Sequence, residues 1–200
     1  MYRDVIPVAK SVYRLSSVHP TLRLMYSLGS LHAELSKLVM DSIGFDGTPF
    51  RVRMDTDWTY GTVLFGLTTS AYLAMRSHGF DVSGLRYEDL VERPLEMCRV
   101  LMEFCGLPVS LAELGVKALD VDSQRNSLSS KSNIGHLKEP EMTPQMKAKL
   151  NEVLKRYPGA PLIGESAVLE GTLTGWWLFL NTQGWKSAFS MNSDDVLFCI

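Results

Sequence analysis

The sequence predicts an α/β protein, a parallel sheet flanked by helices. Two observations carry that prediction. Several segments place apolar residues at helical spacing, while few are short and β-like. Each β-like segment leads directly into a helix, once after Met1–Arg3 and once after Val82–Tyr87. Strands that each feed a helix favour layers of helix on sheet over a bundle or a sandwich.

Met1–Arg3 has the character of a strand end. Pro7 then suits a first helical turn, where its φ is already helical and its missing donor is not needed. Val8, Val12 and Leu15 recur at helical spacing until His19-Pro20 breaks the pattern. A second helix is expected from Thr21 to Val39, with Leu24, Leu28, Leu31, Leu35 and Leu38 as its apolar stripe. Gly44, Gly47 and Pro49 mark a loop over Ile43–Met54. A third helix covers Trp58–His78, with Gly79 as its C-terminal cap. Its threonines and two glycines, Gly61 and Gly66, favour a buried helix over a membrane span.

Val82–Tyr87 reads as a parallel strand buried on both faces. The next helix opens at Pro94 and stops at Gly106 and Pro108, with Leu95, Cys98, Leu101 and Cys105 facing inward. Ser110 and Glu113 have capping-box spacing. Asp122–Gly135 is a polar, serine-rich loop, and loops of that length usually carry a function. Thr143-Pro144 starts a last helix through Met146, Leu150 and Leu154. Residues 1–165 form one domain on this reading. Residues 166–200 hold three of the four tryptophans, show no periodicity and remain an unassigned tail that fits a gene-model artefact best.

Composition narrows the function. With 46% hydrophobic and 21% charged residues the chain is of ordinary globular type. A net charge of −2 argues against a nucleic-acid partner. No apolar leader is visible, because Asp4 and Lys10 interrupt the first apolar run. The 3 cysteines form no disulfide framework, and free thiols favour a reducing compartment. A Golgi lumen would suit the chain if a membrane anchor preceded Met1. No His/Cys/Asp cluster has metal-ligand spacing.

Residues 84–108, GLRYEDLVERPLEMCRVLMEFCGLP, are the most informative stretch. Their order, Tyr87-Glu88-Asp89-Leu90 followed by a helix from Pro94 to Gly106-Leu107-Pro108, resembles the sulfotransferases that use 3′-phosphoadenosine 5′-phosphosulfate (PAPS). A second feature is YRDVIPVAKS, in which Arg3 precedes Ser11 by eight residues. The resembling enzymes use such an arginine and serine to bind the 3′-phosphate of PAPS. The chemistry suits those residue types. A helix N-terminus attracts anions, and a guanidinium matches phosphate bidentately.

The resemblance covers residues 1–165 and implies a P-loop type sheet with PAPS as co-substrate. It implies cofactor-binding roles for Arg3, Ser11 and Tyr87, and for Arg125 and Ser127 in the polar loop beside Ser123 and Lys131. Glu88 and Asp89 brace the turn on this reading. The family reaction moves a sulfuryl group to a hydroxyl or amine, so the acceptor is a small molecule or a glycan, not further specified. The family's Pro-Lys-Ser-Gly-Thr loop for the 5′-phosphosulfate is absent, its Arg-Lys-Gly motif has no counterpart, and no histidine precedes Arg3. The expectation is a fold incomplete at its N-terminus, with no catalytic residue assigned and no competent transfer by these residues alone. Self-association through an exposed sheet edge is the expected result of such a gap. Two alternatives stay open: a non-catalytic module that binds adenosine 3′,5′-bisphosphate or a partner, and a fragment of another P-loop nucleotide kinase or NTPase.

Overall fold

The computed structural model describes residues 1–42, 46–53, 58–119, 121, 136–137, 141–165 and 168–174. Its helices are α1 (Val5–Val18), α2 (Pro20–Leu31), α3 (Ala33–Ser42), α4 (Thr59–Ser77), α5 (Tyr87–Glu92), α6 (Pro94–Phe104), α7 (Ala112–Leu119) and α8 (Pro144–Leu154). Short 3-10 turns lie at Thr48–Phe50 and Val109–Leu111.

The expected α/β class, a P-loop-like parallel sheet, is corrected by this architecture. Among the described residues there is no strand or sheet, only isolated parallel bridges at Tyr2–Arg86, Gly84–Thr172 and Ile163–Glu165. The reason lies in where α5 begins. The segment read as a strand pairs only at Gly84 and Arg86, and Tyr87 already opens the helix. The carbonyl of Arg86 accepts from the Leu90 amide at 3.2 Å, so the backbone turns helical before a ladder can extend.

The core forms where α1 and α8 meet α4. Val5 and Ala9 of α1, Phe65 of α4, Leu150 and Leu154 of α8, and Trp58 and Ile163 make one buried cluster. Gly61 permits the close approach of α1, since a Cβ there would lie 2.5 Å from Ala9 Cα. A second cluster joins Val63 of α4 to Met40, Phe50, Val52, Val153 and Tyr157. A third lies between α5, α6 and α7, built from Leu85, Leu90, Met97, Cys98 and Ala112.

Several boundaries follow local chemistry. After α4 and α6 the chain turns at Gly79 (φ +84°) and Gly106 (φ +68°). In both places the glycine amide and the next amide fold back on the last turn: Gly79 to Arg76 and Phe80 to Met75, Gly106 to Glu103 and Leu107 to Met102. This is the paired hydrogen bonding of a Schellman motif, which needs a left-handed residue. Thr143 caps α8, its hydroxyl accepting from the Met146 amide at 3.2 Å, with Pro144 at the first helical position.

Other expectations fail in instructive ways. The single helix over Thr21–Val39 is two, broken where His32 adopts an extended backbone (φ −156°, ψ 143°). The His32 Nδ1 accepts from the Glu34 amide at 3.2 Å and so opens α3. The leucine stripe is not a core face: Leu24, Leu31 and Leu38 are 59%, 69% and 62% exposed. In α6 Leu95 faces solvent while Met97, Cys98 and Val100 are buried, and Cys105, just past the helix end, is half-buried. Ser110 falls inside the 3-10 turn and not at the cap of α7.

Candidate functional site

Tyr2 starts the assembly of the site. Its amide donates to the Leu85 carbonyl at 2.8 Å, and its carbonyl accepts from the Tyr87 amide at 2.8 Å. This parallel bridge brings the start of α1 against the start of α5. The side chains on either side then lock together. The Arg86 guanidinium donates to both carboxylate oxygens of Asp4, at 3.0 Å and 2.7 Å. The forked bond to Asp4 raises the arginine's already high pKa, so Arg86 is charged throughout the working range. Asp89 is buried beneath Arg86 at 3.4 Å and Arg93 at 3.5 Å. Glu88 accepts from the Asp4 amide at 3.2 Å, which ties α5 to the first turn of α1.

Arg3 sits above this network. Its guanidinium carbon lies 4.3 Å from the centre of the Tyr87 ring. A cation over an aromatic face contributes about 0.5–1 kcal/mol at an exposed site. Its Nε approaches Glu88 Oε1 to 3.9 Å, longer than a hydrogen bond. Arg3 also lines a cavity of about 340 Å³ between α1, α4 and the Ser83–Gly84 segment. Val8, Leu64 and Phe65 form its apolar wall, and Thr68, Thr69 and Tyr72 supply hydroxyls.

The structure therefore joins Arg3 and Tyr87, which are far apart in sequence, and leaves Ser11 apart. Ser11 is half-buried on α1, six residues past Val5 and so roughly 9 Å further along the helix axis. It follows Val8 by three positions and shares that flank of the helix. No hydrogen bond links it to Arg3 or Tyr87 among the described residues. Arg125, Ser127, Ser123 and Lys131 lie outside the described residues. Glu88 and Asp89 lie in the first helical turn of α5, where Glu88 accepts from the Asp4 amide and Asp89 pairs with Arg86 and Arg93. Of the described histidines, His19 and His32 stand at helix junctions, His78 at the end of α4, and His136 is exposed.

Sequence reasoning missed Asp4 and Arg86, which do most to hold the site together. The signal was present as an acid directly after Arg3 and a base directly before Tyr87. It also missed the role of Leu169–Leu173. Thr172 bridges Gly84, the Leu173 amide donates to the Gly84 carbonyl at 2.7 Å, and Leu169 and Leu173 are buried. The Tyr2 hydroxyl meets Thr172 Oγ1 at 2.7 Å.

Comparison with known protein families, characterised proteins and solved structures finds no match to this chain.

Proposed function

We propose that this chain is a sulfotransferase-like nucleotide-binding protein. It holds the 3′-phosphate of PAPS, or of its product adenosine 3′,5′-bisphosphate, at Arg3 and does not by itself transfer the sulfuryl group. The observation that supports the reading best is the contact of Arg3 with Tyr87. Those two residues belong to separate motifs of the sulfotransferase resemblance, and here they share one surface beside a helix start. Arg3 also borders a cavity with an apolar wall and several hydroxyls, a lining suited to the flat body of a nucleotide.

The reading rests on these local features and on the motifs. It does not rest on a parallel sheet, which the described residues lack. Self-association through a sheet edge is not carried forward for the same reason. Transfer would require charge stabilisation on the bridging oxygen and a base for the acceptor. The 200 residues hold no Pro-Lys-Ser-Gly-Thr loop. Among the described residues no helix is long and apolar enough to cross a membrane.

Titration calorimetry with adenosine 3′,5′-bisphosphate against AMP tests the proposal. The bisphosphate is expected to bind tighter, and Arg3→Ala to weaken it about tenfold, as the loss of a charged hydrogen bond implies. Equal affinity for the two nucleotides would sink the 3′-phosphate reading. Sulfuryl transfer by the unmodified chain would sink the non-catalytic part.

A further inference from the structure

Two opposite charges face each other at this site without a bond. Arg3 Nε and Glu88 Oε2 are both shielded from solvent, and neither has a hydrogen-bond partner among the described residues. The nearest approach of Arg3 to Glu88 is 3.9 Å, to Oε1. That oxygen is already engaged by the Asp4 amide at 3.2 Å. Glu88 Oε2 stands 3.9 Å from Arg86 Nε, whose donor is taken by Asp4.

The geometry fixes both partners. Tyr87 covers one face of the Arg3 guanidinium, 4.3 Å from its carbon to the ring centre. The Asp4 amide holds the Glu88 carboxylate back, so Glu88 cannot advance to form the forked pair that arginine prefers. Arg3 is left screened by a negative charge yet still able to donate. A phosphate presents several acceptor oxygens and satisfies such a fork better than a carboxylate held at a distance.

We propose that Glu88 is a built-in counter-ion for Arg3, displaced in effect by the incoming phosphate, and so a positioning residue that sets the affinity of the site for that group. The inference rests on the nucleotide reading above and adds to it a negative charge that works against binding. In the unliganded protein Glu88 keeps Arg3 from attracting stray anions. With ligand bound, the carboxylate and the phosphate share one guanidinium and repel each other.

Two variants separate this role from simple bracing. Glu88→Gln removes the charge and keeps an acceptor for the Asp4 amide. Glu88→Ala removes both. Calorimetric titration of the full chain with adenosine 3′,5′-bisphosphate and with AMP is the measurement, after thermal unfolding has shown that each variant folds. Arg3 is 41% exposed at its side chain, so the electrostatic gain is modest. Glu88→Gln is expected to bind the bisphosphate about three- to fivefold tighter, the range of exposed ion pairs, with AMP unchanged. An unchanged or weaker bisphosphate affinity in Glu88→Gln, with a loss in Glu88→Ala, would mean that Glu88 only braces α1. That result overturns the inference and leaves the nucleotide reading standing. If neither the unmodified chain nor Glu88→Gln prefers the bisphosphate to AMP, the nucleotide reading itself fails, and the inference with it.

Discussion

Helices α4 and α2–α3 are both rich in large apolar residues at helical spacing, yet they meet opposite fates. In α4 Val63 and Phe65 are 0% and 3% exposed, and α1 and α8 close over the helix. In α2 and α3, Leu24, Leu31 and Leu38 stand in solvent. Periodicity marks a face as apolar. Whether anything covers that face depends on other elements. For α4 the covering is prepared by small residues: Gly61 admits the backbone of α1, and Gly66 seats the ring of Tyr157, since a Cβ there would lie 2.4 Å from Tyr157 Cδ2.

The strongest way to break this contrast is Phe65→Ala. It empties a site closed by Val5, Trp58 and Leu154 and is expected to destabilise the chain by about 3–5 kcal/mol. Urea unfolding measures it, and a loss below about 1 kcal/mol would mean that α4 is not the core helix.

Alkali gives a smaller effect at the same place. Burial pushes the Tyr157 phenol up to about 12, and its hydroxyl donates to the Pro49 carbonyl at 2.7 Å. The unfolded chain releases that proton near pH 10, about two units earlier. Between those values the unfolded state binds fewer protons than the folded one, so stability falls as pH rises. The expected loss is no more than about 2 kcal/mol between pH 10 and pH 12. Well below pH 10 both states keep the proton and this loss is absent. Burial also raises Tyr60, in the same direction. Unfolding of Tyr157→Phe across this range should show a shallower decline, and an identical slope would remove Tyr157 as the cause.

The smallest effect is expected at Leu31→Gln. The residue is 69% exposed, and surface changes away from special features stay within about 0.5 kcal/mol. A loss of 2 kcal/mol or more would show that the leucines of α2 are covered in solution and would erase the contrast with α4.

Local chemistry was what the sequence expressed most clearly. Gly79, Gly106 with Pro108, and Thr143-Pro144 mark their helix ends because each residue has a conformation or a donor that few others supply. The break at His32 was hidden, since a histidine that caps through its ring nitrogen resembles any surface histidine. The sheet was over-read. An apolar run such as Val82–Leu85 has strand character, but a ladder needs neighbours, and α5 begins too soon for one to form. At the site, Arg3 and Tyr87 were named from separate motifs and the structure brings them together. Ser11 is left at a distance, because the helix that starts beside Arg3 carries it away along its axis. Asp4 and Arg86 went unnoticed as partners because 82 residues separate them and neither stands out alone.

The bridge from Tyr2 through Gly84–Arg86 to Thr172 ties together the start, the middle and a late part of the described chain. The hydroxyl pair of Tyr2 and Thr172 spans 170 residues. Contacts of such separation reward folding only after the intervening chain is ordered. They also make distant segments share one equilibrium. Whatever holds Arg3 in place holds Tyr2, and Tyr2 holds Leu169–Leu173. Linkage is reciprocal, so an anion bound at Arg3 is expected to slow hydrogen exchange at the Leu173 amide, and loosening that late segment to weaken the anion's hold.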